Sequence, residues 1–275
     1  DSDTPCFVFS NALGNSEKNI AEAISHEAGH TLRLAHDGQG GNAYYTGHGS
    51  GATGWAPIMG VGYDRQLVQW SKGEYPNATN SEDDLARITT LNGFSYRTDD
   101  HGGWTGTATP LTFDGTSGTA EGIIERNTDI DFFSFNTAGG NITINVNPFY
   151  RSPNLDILAK LYNSSGTEIA SSNPITALNA SFSVSLSSGT YYLSVQGTGK
   201  AASGADHGYS NYGSLGYYSI LASIPQQPPT LLATLSGGNL TITDPSGVVN
   251  QMTLTADDSD VVITDSNERF VSAPS

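Results

Sequence analysis

The amino-acid sequence predicts a multi-domain chain, with an α-helical segment followed by an antiparallel β-sandwich and a short β-rich C-terminal segment. Three observations support this fold class. No proline interrupts the stretch from Asn19 to His36, which carries apolar residues at helical spacing. After Trp104, short stretches alternate apolar and polar residues, as half-buried strands do. A proline-rich stretch at 224–230 then indicates a stiff linker before residues 231–275.

The N-terminal helix has a recognisable beginning. Asn15 or Ser16 can accept a hydrogen bond from the first free backbone amides, and Glu17 places a negative charge in the first turn. An apolar stripe then follows at Ile20, Ala23 and Ile24. The sequence therefore predicts that the helix begins near residue 17 and continues into the histidine-rich segment.

Three histidines and a glutamate mark this helix as a candidate zinc site. His26 and His30 are four residues apart, so both project from one helix face, and Glu27 lies beside the first of them. His36 offers a third imidazole, which would leave a fourth zinc position open. On a straight helix His36 would point about 240° away from His30. We therefore expect a sharp turn near Arg33.

The pattern from His26 to Asp37 resembles the zinc signature of metzincin metallopeptidases, in particular the adamalysin (reprolysin-like) branch. The resemblance implies three zinc ligands, a general base at Glu27 and a turn-supporting role for Asp37. It also implies that residues 1–105 are part of an α+β metzincin catalytic domain. Arg33 departs from the signature, since the family has glycine there.

Two later segments extend the resemblance. Residues 56–60 resemble the Met-turn, in which a methionine (here Met59) forms an apolar floor beneath the zinc site. Tyr63 is the nearest phenol and a candidate for stabilising the tetrahedral intermediate. The acids and caps of residues 80–88 predict a second helix, which implies the C-terminal helix of such a domain. Only Cys6–Ser10 precedes the zinc helix as a candidate strand, so we expect a fragment or processed product that lacks the upper part of this domain.

The sequence also leaves two alternatives open. In one, the chain is still a zinc peptidase, but Glu82 on the second helix is the third zinc ligand, as in gluzincins, and His36 is structural. In the other, the chain is a non-catalytic adhesion or carbohydrate- and matrix-binding protein with a relic zinc domain.

The composition argues against some classes of partner. The 275 residues carry a net charge of −16 and few lysines or arginines, which argues against nucleic acid as a partner. No segment has the apolar length of a membrane span, and the lone Cys6 excludes an internal disulfide. This composition fits a secreted, extracellular protein, and the metzincin resemblance implies a protein or peptide substrate.

Residues 106–223 form the predicted β-sandwich. Its alternating stretches lie at 131–136, 141–147, 155–162, 180–186 and 190–195. Their order, with Asp129-Ile-Asp131 before the first and Tyr217-Tyr-Ser-Ile220 after the last, resembles the bacterial pre-peptidase C-terminal domain over residues 107–223. That resemblance implies a domain that accompanies a secreted peptidase, with a matrix or polysaccharide as a further partner. Asp129 and Asp131 are candidate calcium (Ca²⁺) ligands, although their positions at loop ends favour a capping role over calcium binding.

Overall fold

The structure is a computed structural model that describes residues 5–227, 230–236, 239–243, 252–257, 260–265 and 269–272. Residues 1–225 form one compact unit and residues 226–275 a second. No helix among the described residues is both long enough and apolar enough to cross a bilayer.

The first part of the larger unit contains two α-helices and two short strands. Their bounds are α1 Glu17–Thr31, β1 Trp55–Pro57, β2 Leu67–Gln69 and α2 Asp84–Leu91. Strands β1 and β2 pair in parallel. Ser16 and Asp83 cap the two helices by accepting backbone N–H groups. Both helices were predicted, although α2 begins only at Asp84. The candidate strand at Cys6–Ser10 is absent, and its segment instead leads into a 3₁₀ turn at Ser10–Leu13.

Ten strands complete the unit as a β-sandwich, which confirms the alternation read from the sequence. One sheet has the order β10-β7-β12-β5-β4 and the other β3-β6-β11-β8-β9. The strands are β3 Thr109–Pro110, β4 Thr112–Asp114, β5 Ser117–Ile124, β6 Ile130–Thr137, β7 Gly140–Pro148, β8 Ile157–Asn163, β9 Glu168–Ser172, β10 Ala180–Leu186, β11 Gly189–Gly197 and β12 Gly216–Ser223.

The main apolar core belongs to the sandwich. Every second residue of the central strands is buried in it, including Phe133, Ile144, Leu161, Leu193 and Ile220. This period of two follows from the pleat of a strand, which sends successive side chains to opposite faces.

The described residues of the smaller unit form five strands. They are β13 Thr230–Ser236, β14 Asn239–Thr243, β15 Met252–Asp257, β16 Asp260–Asp265 and β17 Arg269–Ser272. β13 pairs with β14 and β17, whereas β15 and β16 form a separate hairpin. The β-rich character expected of the C-terminal segment is therefore present.

The α+β metzincin fold predicted for residues 1–105 is wrong. The described chain is mostly β, and this part contributes only two three-residue strands beside its two helices. Its larger apolar cluster, formed by Tyr45, Trp55, Leu67 and Tyr75, is completed by Leu178 and Tyr209 of the sandwich, whereas a smaller cluster around Met59 is its own. Much of the segment between the helices is irregular loop, and its apolar side chains are buried against the sandwich.

Candidate metal centre

Helix α1 and the turn after it bring three imidazoles together. His26 and His30 lie one helical turn apart, with ring centroids 4.9 Å from each other. His36 Nε2 is 3.0 Å from His30 Nε2. One nitrogen of each ring lies within 4.8 Å of the corresponding nitrogens of the other two. The structure thus places all three predicted ligands around one point.

Hydrogen bonds to two backbone carbonyl groups determine which ring nitrogen of each helical histidine is free to bind a metal. His26 Nδ1 lies 2.8 Å from the Ile58 carbonyl oxygen, and His30 Nδ1 lies 2.9 Å from that of Leu34. A carbonyl only accepts, so each Nδ1 carries the donated proton. In the neutral rings Nε2 therefore keeps its lone pair and can bind a metal. Such a hydrogen bond to the distal ring nitrogen is usual for metal-ligating histidines.

The chain turns at Arg33, as the spacing requires. Arg33 has a φ of 70°, in the left-handed region where residues with a Cβ are strained. Its N–H donates to the His30 carbonyl, and the Leu34 N–H donates to that of Gly29, both at 3.0 Å. This ends the helix and redirects the chain so that His36 folds back towards His30.

Helix α2 and the residues before it hold this turn in place. Arg87 Nη1 donates to the Arg33 carbonyl at 2.9 Å, and the Asn92 amide donates to that of Leu32 at 3.0 Å. The Ala35 N–H donates to Glu82 Oε1 at 2.5 Å, and Arg87 also pairs with Glu82. These contacts were not predicted, because nothing in the sequence signals contacts between segments about fifty residues apart.

Glu82 therefore has a different place from the one considered for it as a zinc ligand. Its two carboxylate oxygens are engaged by the Ala35 N–H and the Arg87 side chain. Among the described residues, the metal-compatible group that contains His26 and His30 has His36 as its third member. Glu82 thus supports the segment that carries His36.

Met59 lies beneath the histidine helix. Its side chain is fully buried, in a cluster with Leu34, Ile58 and Val68. A Cβ placed on Gly29 would overlap the Met59 sulfur, so a larger residue at this point of the helix would require the Met59 side chain to shift. The Asp37 N–H donates to the Met59 carbonyl at 2.8 Å. The segment predicted to form the floor of the site thus contacts the helix directly.

The surroundings favour neutral imidazoles. Burial, followed by the neighbouring His30, lowers the pKa of His36, and burial also lowers that of His26. Burial, followed by the charge of Glu82, raises the pKa of Asp37 to about 7. Burial and the carboxylates of Glu22 and Glu27 raise the pKa of Tyr63, which keeps this phenol protonated.

The donor set fits zinc. Three imidazole nitrogens with an open position form a common catalytic zinc shell. Ligands about 2.0 Å from a tetrahedral zinc ion lie about 3.3 Å apart, close to the 3.0 Å between the ring nitrogens of His30 and His36. Since metal binding requires deprotonated ligands, the lowered histidine pKa values favour it further.

A second cluster gathers five carboxylates at the edge of the sandwich. Asp129 and Asp131, the candidate calcium ligands, are joined there by Asp99, Asp100 and Glu125. The cluster borders a cavity of about 550 Å³. Glu125 Oε2 and Asp131 Oδ1 are buried and have no hydrogen-bond partner in the described part of the chain. Burial raises the pKa of Glu125 to about 7 and that of Asp131 to about 8.

Only two of these five acids, Asp129 and Asp131, were predicted from the sequence. Asp99 and Asp100 precede the sandwich, and their approach to the turn between β5 and β6 could not be read from local spacing. The loop-cap alternative also describes a real contact, because Asp129 accepts the Glu125 N–H at 3.2 Å.

No protein-family model and no curated protein matches the sequence. Several solved structures, including the following two, are similar to parts of it. One is the pre-peptidase C-terminal domain of a collagenase from Bacillus anthracis, with 20% identity, coverage of 42% of this chain and 93% of that one, and a TM-score of 0.31. The other is a mitogen from Yersinia pseudotuberculosis, with 14% identity, coverage of 54% and 96%, and a TM-score of 0.27.

The first structure carries the type of domain that residues 107–223 resemble in sequence. Its TM-score is too low to assign a function, and no comparison supports the metzincin resemblance. The sandwich described above therefore rests on its own strand pairing.

Proposed function

We propose that this chain is a zinc-dependent endopeptidase that acts on protein or peptide substrates outside the cell. The observation that carries the proposal is the convergence of His26, His30 and His36 within 4.8 Å, with Glu27 next to the first of them on α1. Three imidazole nitrogen donors beside a carboxylate suit hydrolysis better than structural metal binding, which usually employs four protein ligands.

In this proposal the bound zinc ion would supply Lewis-acid activation of the carbonyl group and of water. The residues of the chain position and move protons. Glu27 takes a proton from the attacking water on its carboxylate and delivers it to the leaving amine nitrogen. Tyr63 keeps its phenolic proton, because its pKa is raised, and can donate a hydrogen bond to the substrate carbonyl oxygen as negative charge develops there.

Metal content and proteolysis of the whole chain test this proposal together. We expect one zinc ion per chain by elemental analysis, and cleavage of casein. Glu27→Gln should keep the zinc and lose activity by about 100-fold or more, whereas His26→Ala should lose both. Glu17→Gln is the matched control, because Glu17 is exposed on the same helix.

A Glu27→Gln variant with full activity would refute the catalytic role. A chain that bound insoluble collagen or polysaccharide but neither loaded zinc nor cleaved casein would instead support the adhesion function.

We also propose that calcium binds the carboxylate cluster formed by Asp99, Asp100, Glu125, Asp129 and Asp131. An all-oxygen donor set suits this hard cation. The unpartnered buried oxygens of Glu125 and Asp131 support the proposal, because a buried carboxylate without a partner is otherwise costly. Bound calcium would join the segment before the sandwich to the turn between β5 and β6.

Calorimetric titration of the chelator-treated chain with calcium tests this site. We expect saturable binding and a higher Tm in calcium, because a ligand that binds only the folded state stabilises it. Asp129→Asn should weaken binding by at least 10-fold, whereas Asp114→Asn, on exposed β4, should not. Equal binding by both variants would show that the cluster holds no specific ion.

A further inference from the structure

A polar cavity begins one helical turn from the first candidate zinc ligand. It measures about 110 Å³, and its lining includes Glu22 and Ser25 of α1, Ile58 and Gln66 of the segment after β1, and Ser152 and Asn154 of the sandwich. Glu22 precedes His26 by four residues, so the two share a helix face. Ile58 also accepts the His26 Nδ1–H through its carbonyl. Ile58 thus borders both the cavity and His26, and the charges of Glu22 and Glu27 both reach Tyr63, so the cavity lies beside the helix segment that carries the candidate site.

Glu22, which lines this cavity, already binds a cationic side chain. Lys18 Nζ contacts Glu22 Oε1 and also donates to the carbonyl oxygens of Gly62 and Tyr63, each at 3.2 Å. A carboxylate and two carbonyls thus already hold one ammonium group. The other carboxylate oxygen, Glu22 Oε2, is buried and has no hydrogen-bond partner in the described part of the chain.

We infer that Glu22 is a specificity-determining residue, and that this cavity accepts the lysine or arginine side chain of a peptide substrate at a position next to the cleaved bond. The inference rests on the proposed function. Glu22 Oε2 can accept a hydrogen bond from the cationic group of the substrate. Lys18 competes for the same carboxylate, and its side chain is partly exposed, so it can move into solvent. A large apolar side chain would instead leave this buried oxygen unpaired, which carries a free-energy cost.

Ser152 and Asn154 give the sandwich a direct part in this cavity. Gln69 Nε2 donates to the Asn154 carbonyl at 2.6 Å and so ties the sandwich loop to β2. The cavity wall is consequently formed by two parts of the same compact unit. The sandwich in this chain shapes the substrate site and is more than an appended module.

Two opposing variants test the inference. Cleavage of a peptide library first identifies a peptide substrate and its cleaved bond. We would then measure kcat/KM for four versions of that peptide, which differ only in having Lys, Arg, Leu or Glu at one position beside the cleaved bond. Glu22→Gln should lower kcat/KM for the Lys and Arg peptides by about 10-fold to 100-fold, as expected for loss of a charge-assisted contact, and leave the Leu peptide within about 2-fold. Lys18→Ala should raise kcat/KM for the basic peptides, because the internal competitor is gone.

Peptide binding to the zinc-loaded Glu27→Gln variant provides a readout that does not depend on turnover. Basic peptides should bind at least 10-fold more tightly than the Leu peptide, and adding Glu22→Gln should abolish the difference. Glu17→Gln is again the control. If library cleavage shows no basic preference, or if Glu22→Gln and Lys18→Ala change all four peptides equally, Glu22 has only a structural role and the inference fails.

The two proposals fail in distinguishable ways. Cleavage without a basic preference overturns this inference and leaves the peptidase proposal standing. A chain that neither loads zinc nor cleaves any peptide overturns the peptidase proposal, and equal binding of the four peptides by the Glu27→Gln chain then overturns this one too.

Discussion

Replacing Arg33 with glycine should stabilise the protein. The φ of 70° at this residue is the left-handed conformation, which costs a residue with a Cβ roughly 1–2 kcal/mol. Glycine avoids that cost but gains conformational freedom in the unfolded chain, which offsets about 0.5–1 kcal/mol. The Arg33 side chain is exposed and makes no hydrogen bond or ion pair among the described residues, so its loss removes no stabilising contact. We expect a net gain of about 1 kcal/mol in the free energy of unfolding.

Urea unfolding of the metal-free chain measures this change, and a thermal scan should show a Tm rise of about 2–4 °C. Arg33→Ala is the matched control, because alanine removes the same side chain and keeps the strain. Arg33→Pro should destabilise by about 3 kcal/mol or more, since proline cannot reach a positive φ and lacks the N–H that donates to the His30 carbonyl. An Arg33→Gly chain less stable than the Ala variant would refute the strain argument.

Two further changes test the packing around the site, and a third tests a buried carboxyl group of the sandwich. Glu82→Ala should lower zinc affinity by about 10-fold, as loss of an outer-shell contact does, because it releases the Ala35 amide before His36; unchanged affinity in a competition assay would show that the turn holds itself. Gly29→Ala should destabilise by about 1–2 kcal/mol in urea unfolding despite its better helix propensity, because the new Cβ would overlap Met59; a more stable variant would contradict the close packing. Asp156, buried and paired with a tyrosine hydroxyl, has a pKa raised from 3.8 to about 7, mainly by burial. The carboxyl group of Asp156 therefore binds its proton more tightly in the folded state than in the unfolded state. As pH rises from about 4 to 7, the stabilisation from this proton is lost, and the free energy of unfolding falls by at most about 4 kcal/mol. Asp156→Asn should reduce this loss. If urea unfolding shows the same change in unfolding free energy between pH 5 and pH 8 for the wild-type and variant chains, the assignment to Asp156 is wrong.

Local patterns predicted much of the fold. The strands of the sandwich could be located because each has a period of two that depends on neighbouring residues alone. The beginning of α1 at Glu17 followed from its cap and first-turn charge. The need for a turn near Arg33 followed from helix geometry, since His36 could not otherwise approach His30.

The prediction for residues 1–105 failed because a local motif does not specify the layers around it. The sequence pattern indicated a helix with histidines, and that helix is present. The resemblance then supplied an α+β domain, whereas in the structure Leu178 and Tyr209 of the sandwich complete the larger of the two apolar clusters of this segment. Burial against a partner distant in sequence leaves no periodic signal near the motif.

The sequence by itself determined which chemical groups are available: three imidazoles, one neighbouring carboxylate and a reversal of the chain between them. The tertiary structure decided what those groups can do. Glu82 and Arg87 hold the strained turn, two carbonyls set the histidine tautomers, and the sandwich supplies one wall of the adjacent cavity. These contacts join segments separated by dozens of residues, so they arise only when the chain packs, whereas helix and strand periodicity arises from the backbone itself.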